Sequence, residues 1–325
     1  MHLASTLSLP QGSVPLQRPE RERRGTRRLL PSAVKVGSRA QLLQLGLTET
    51  MIRRELEAGT LLRIASGWYA RPGADPRIIL AIASGNRITC IDAAELHGLW
   101  IPRPAALRTG PADDRLHVYG RGRPSDRRAG TPPGAQEEML LHGARRHAWP
   151  ESDPVASLPL ALRHAIDCLD GEGAAILLES ALDRRLLSVV EVEELLAQSS
   201  VAARSRIGPL SAASESGSET RVVRWLRRRG FEVEQQVHLA GVGYLDVYVA
   251  GLFLEIDGKQ HHSTDEAFRR DRRRDLRTVS HGLQILRLSY EQVWHQWEST
   301  KKAVLESIDE VGGFGRRKKE GLLQG

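Results

Sequence analysis

The chain has 325 residues, 40% hydrophobic and 27% charged, enough for two or three domains with their own cores. Its formal net charge of +7 favours an anionic partner, DNA first among them. Its 2 cysteines, Cys90 and Cys168, have no partner spacing, which argues for a reducing cytoplasm and against zinc ribbons. No apolar run reaches the roughly 18 residues of a membrane span, so no membrane partner is expected.

Residues 1–31 are arginine-rich without an apolar stretch, and read as a disordered basic arm. Residues 32–110 form the first expected domain. Ser38 caps a short helix carrying Leu42, Leu43 and Leu45, and Gly46 ends it. Thr48 caps a second helix carrying Met51, Ile52 and Leu56, ended by Gly59. Two short strands, 61–64 and 67–70, then turn about Ser66-Gly67. Helix, tight turn, helix and hairpin make a winged helix-turn-helix pattern. Over about residues 33–99 this resembles the N-terminal winged helix of AbiEi-type abortive-infection antitoxins. The resemblance implies phosphate or groove contacts for Arg53, Arg54 and Arg63. Domains this small also dock proteins.

Residues 111–198 read as a mixed strand and helical region, with strands at 115–119 and 138–142 and helices at 156–169, 174–186 and 189–197. Ser188 and Glu191 stand in capping-box register before the last helix. His164, Asp167 and Asp183 read as scaffold polar groups. Residues 199–213, rich in Ser, Ala and Gly, read as a linker.

The densest chemistry lies in residues 214–310. A helix over 214–230 carries Val222, Trp225 and Leu226 on one stripe and closes at Gly230. Glu219 points toward its buried side, yet it also stands three residues after Ser216, where a capping box would use it only for backbone N–H groups. Arg221, Arg224, Arg227, Arg228 and Arg229 are expected on the outer face as a nucleic-acid contact surface.

After a strand at 232–239, residues 244–257 read as two strands about Ala250-Gly251. Asp246, Glu255 and Asp257 stand among Val247, Val249, Leu252, Leu254 and Ile256. Carboxylates in such strands are costly unless a cation compensates them. Glu255 and Asp257 share a face, and Asp246 can reach the same spot from the partner strand. Converging oxygen ligands suit Mg²⁺ or Mn²⁺. The plainer reading is a hairpin whose acids face solvent beside Phe253. A helix over 263–281, a strand over 283–288 and a helix from about 290 to 308 complete the region.

This order, with a helix-borne Glu219, Asp246 and then Glu255-x-Asp257-Gly258-Lys259, resembles the core of the PD-(D/E)XK nuclease superfamily. Residues 245–262 and 268–293 more narrowly resemble the family of domain of unknown function 559, related to the very-short-patch-repair endonucleases. The resemblance implies an α/β fold (α+β for the whole chain) with a restriction-endonuclease-like mixed sheet flanked by helices. It implies metal ligation by Asp246, Glu255 and Glu219, and Mg²⁺-dependent DNA hydrolysis in repair or phage defence. Asp257 stands where the family has lysine, so the proton role passes to Lys259 or His262, and Arg272 would clamp a phosphate oxygen. The alternative from another class is an AbiEi-like DNA-binding regulator or antitoxin with an inactive nuclease fold. Residues 311–325 are expected to be a disordered tail.

Overall fold

The computed structural model describes residues 31–101, 115–120, 139–143, 153–239, 243–257 and 284–322. It opens with α1 (Pro31–Val34), β1 (Val36–Ser38), α2 (Arg39–Gln44), α3 (Glu49–Glu57), β2 (Leu62–Ala65) and β3 (Trp68–Ala70). Ser38 and Gln41 close a capping box at α2, and Thr48 accepts from the Met51 N–H at the start of α3. The strands pair antiparallel in the order β1-β3-β2. Leu42, Ile52, Leu61 and Tyr69 bury a small core between helices and hairpin.

Then follow α4 (Pro76–Ala83), β4 (Arg87–Ile88), α5 (Cys90–Leu96), β5 (Leu116–Tyr119) and β6 (Met139–His142). Here β5 pairs antiparallel with β4 and parallel with β6. Val34, Val36 and Ala70 bury against Ile88, Val118 and Met139, so this sheet shares its core with the N-terminal unit.

Four helices come next: α6 (Leu158–Cys168), α7 (Gly171–Asp183), α8 (Val189–Ala197) and α9 (Val201–Ile207). The last corrects the linker expected at 199–213. Ser200 caps α9, and Ala203, Ile207 and Leu210 bury into the helical core. Small and polar composition suggested an open chain, but three apolar side chains at i, i+4 and i+7 are enough to dock one short helix.

The C-terminal unit comprises α10 (Gly217–Arg228), β7 (Val233–Leu239), β8 (Gly243–Val249), β9 (Leu252–Ile256), β10 (Ile285–Leu288), α11 (Tyr290–Trp294) and α12 (Trp297–Leu322). Its mixed sheet runs β10-β9-β8-β7, with only β9 and β10 parallel. Ala250 (φ 48°) and Gly251 (φ 92°) make the two-residue turn between β8 and β9, both in the left-handed region that such hairpins need. Val247, Val249, Leu252, Leu254 and Ile256 face α10 and α12 in the core, where Val222, Leu226 and Val304 meet them. Helix α12 runs to Leu322, past the end expected near 310, so the tail expected to be disordered is largely helical in backbone.

The helical region and this unit pack directly. Ile176 of α7 joins the C-terminal core, and Trp100 packs on Trp294 with ring centroids 5.0 Å apart. Among the described residues no helix is long and apolar enough to cross a membrane.

Candidate functional site

Strand alternation puts Leu245, Val247 and Val249 into the core and leaves Asp246 and Tyr248 on the opposite face. The β8–β9 register pairs Tyr248 with Phe253 and Val247 with Leu254. By strand alternation Asp246 and Glu255 fall on the face of Tyr248 and Phe253, just past the last paired residues, Val247 and Leu254. Beyond Leu254 the Asp246 side chain takes over from the ladder, and its Oδ2 accepts from the Ile256 N–H at 2.7 Å.

Glu219 arrives from the first turn of α10 and is only 4% exposed. Its Oε1 accepts from the Ser216 hydroxyl at 3.0 Å, and its Oε2 from the Glu215 N–H at 2.9 Å. Gln236 Nε2 also approaches Oε2, at 3.4 Å. Burial, and after it the negative charge of Asp246, pushes the Glu219 carboxyl up to about 8. Glu219 thus accepts hydrogen bonds at the helix N-terminus, and the charge of Asp246 reaches it there.

Glu255 is engaged by a cation of the protein itself. Arg287, its register partner on β10, donates from Nε to Glu255 Oε2 at 2.8 Å. Asp257 lies exposed at the end of β9, where its N–H donates to Leu288 O. Lys259, His262, Arg272 and the helix expected at 263–281 lie outside the described residues.

The arginine face of α10 needs correction. Arg224 is buried, and its guanidinium donates to the carbonyls of Pro209, at 2.8 Å, and Ile207, closing the end of α9. Arg221 is buried as well, stacked 4.7 Å over Trp294 and 4.9 Å over Trp297 and paired with Glu172 at 3.5 Å. Long guanidinium side chains bury readily where carbonyls and aromatic faces receive them. Only Arg228 and Arg229 are exposed, and Arg228 also approaches Glu172, at 3.7 Å. Arg53 and Arg54 on α3 and Arg63 on β2 are exposed on the N-terminal unit.

A different constellation escaped the sequence reading. Cys90, His117, His142 and Cys168 each bring a ligand atom into one spot, all within 4.8 Å of one another. They come from α5, β5, β6 and the last residue of α6. His117 Nδ1 lies 3.0 Å from His142 Nε2 and 3.8 Å from Cys168 Sγ. Hydrogen bonding from Cys90, and then from the two histidines, holds the Cys168 thiol well below its ordinary range, while burial pushes Cys90 up. Neither cysteine is in a disulfide.

Cys90 and Cys168 thus converge on a common site despite their spacing, and the one set that gathers three or more such ligand atoms among the described residues is Cys/His rather than acidic. Sequence spacing gave no signal because each ligand sits on a separate element, with 25 positions separating the two histidines alone.

No family model matches the chain, and no curated protein matches it.

Proposed function

We propose that the C-terminal unit is a metal-dependent endonuclease acting on DNA phosphodiester bonds, with the N-terminal unit adding DNA contacts. The observation that carries this reading is the charge of Asp246 acting on the buried Glu219, with Asp246 anchored to the Ile256 N–H and Glu255 on the face of Asp246 by strand alternation. A buried carboxyl whose proton affinity is raised by burial and by the charge of Asp246 suits a divalent cation, which would offset both. Oxygen donors of this kind fit Mg²⁺ or Mn²⁺.

Asp246 and Glu255 would hold the ion, and Glu219 would complete its acidic side. When bound, such an ion lowers the pKa of an attacking water and offsets charge on the phosphate. Asp246 is oriented by the Ile256 N–H, which fixes one carboxylate oxygen on β8. Lys259 or His262 takes the proton role, Asp257 tunes the site from the end of β9, and Arg272 contacts a phosphate oxygen. The exposed Arg53, Arg54 and Arg63 support DNA contact by the helix–turn–helix and hairpin. Arg228 adds an exposed cation on α10, whereas the buried Arg224 belongs to the scaffold.

One observation favours the second reading, a DNA-binding regulator with an inactive nuclease fold. The Arg287–Glu255 ion pair supplies a built-in counter-cation to one of the acids. Plasmid nicking by the purified chain in Mg²⁺ and Mn²⁺, with EDTA as control, separates the two. Metal-dependent conversion of supercoiled to nicked plasmid supports the enzyme. Retention of DNA without cutting in either metal supports the regulator.

A further inference from the structure

We propose that Cys90, His117, His142 and Cys168 form a closed tetrahedral zinc site that staples the small middle sheet to helices α5 and α6. None of these residues belongs to the acidic pocket, so the site stands independently of the nuclease reading.

The distances fit the ion. With Zn–N near 2.0 Å and Zn–S near 2.3 Å, tetrahedral vertices lie about 3.3 Å apart for two nitrogens and about 3.5 Å for nitrogen and sulfur. The atoms stand 3.0 Å apart for His117 Nδ1 and His142 Nε2, and 3.8 Å for His117 Nδ1 and Cys168 Sγ. All four ligand atoms fall within 4.8 Å, so coordination asks only for small side-chain adjustments. Two thiolates and two imidazoles select zinc over hard cations such as Mg²⁺. Two thiolates also neutralise a divalent charge, which matters because Cys90 and His117 are buried.

Four protein ligands leave no open position, which makes the site structural rather than catalytic. The architecture shows what it would hold. Strands β5 and β6 have 4 residues each, and β4 has 2, too little ladder to define a sheet unaided. A shell of packing already orients the ligands. The His142 ring stacks on His164 at 5.1 Å, and His164 Nδ1 lies 2.6 Å from Thr89 Oγ1. Asp92 Oδ2 accepts from the backbone N–H of His117 at 2.8 Å, tying β5 to α5. Cys90 itself sits at φ 54°, a left-handed backbone that non-glycine residues adopt only where the surroundings enforce it.

The full chain, purified without chelators from zinc-supplemented cells, tests the site. Elemental analysis is expected to find about one zinc per chain after dialysis, as for structural sites. Exchange with Co²⁺ is expected to give intense visible d–d bands and sulfur-to-cobalt charge transfer. Cobalt in the carboxylate pocket would be pale and show no charge transfer, so the two sites are distinguished. Cys168→Ser is expected to lose the charge-transfer intensity of one thiolate and to release zinc faster to a chelator. His142→Cys is expected to keep the metal and gain charge transfer, a change that a folding defect does not produce. Wild-type protein that carries no zinc and gives no tetrahedral cobalt spectrum would overturn the proposal. So would a Cys90–Cys168 disulfide in the native protein.

Discussion

At the scale of single residues, Glu219 has the largest consequence, because a buried carboxyl facing Asp246 makes stability depend on pH. Its proton affinity is raised from an ordinary 4.5 to about 8 in the folded chain. Below the unfolded value both states hold the proton and the stabilising difference is fully present. As pH rises through the folded value that difference is lost, because the unfolded chain ionises freely while the folded one resists. Metal-free protein in EDTA should therefore lose stability between about pH 5 and pH 8, on the order of 1.4 kcal/mol for each pH unit crossed in that window. Glu219→Gln should flatten that slope in denaturant melts, and an unchanged slope would show that Glu219 does not titrate in this way. Arg224 makes the opposite point. Its buried guanidinium closes two carbonyls at the end of α9, so Arg224→Ala should cost roughly 2–4 kcal/mol of stability by leaving them unpaired. DNA affinity of the folded fraction should stay unchanged, which a filter-binding titration checks. The burial of Glu219 was legible in helical spacing, but that of Arg224 was not, because five arginines on one helix read as an outer contact surface. Helical spacing says which residues share a side, but not that carbonyls and tryptophan rings wait on it.

At the scale of elements, the hairpin β8–β9 was the most legible part of the chain. Period-two alternation and the Ala250-Gly251 turn fix its register, and alternation puts Asp246 and Glu255 on one face just past its last pair, Val247 and Leu254. Serine and threonine caps likewise marked α2, α3, α8 and α10. What the local pattern could not carry is how elements distant in sequence meet. The Cys/His cluster draws one ligand from each of four elements, and α9 docks through three side chains hidden in a polar stretch. The junction between the helical region and α10 depends on a close approach of the same kind. A Cβ added at Gly217 would fall 2.2 Å from the Trp100 ring, which itself packs on Trp294. Gly217→Ala should displace that ring pair and destabilise the fold by roughly 1–3 kcal/mol. A thermal melt compared with Ser218→Ala, a neighbour that loses only the hydrogen bond from Trp294 Nε1, separates overpacking from loss of one polar contact.

At the scale of the whole molecule, the exposed arginines proposed to meet DNA lie on two units, Arg53, Arg54 and Arg63 on one and Arg228 and Arg229 on the other. If both units contact one DNA, affinity should fall steeply with salt, each neutralised phosphate adding about 0.9 to the logarithmic slope. Arg53→Ala with Arg54→Ala should then reduce that slope by about one to two while leaving cutting chemistry intact. Retained slope would assign the N-terminal unit to protein docking instead. Whether the acidic pocket cuts DNA is decided by Asp246→Asn in a cleavage assay with binding followed in parallel. The substitution keeps shape and removes one charge from beside Glu219, so folding should be retained and metal-free stability should rise. The expected result is Mg²⁺-dependent cutting by the wild-type chain, a loss of orders of magnitude in the variant, and equal DNA retention by both in Ca²⁺. Equal cutting by variant and wild type would refute the pocket as the seat of the reaction.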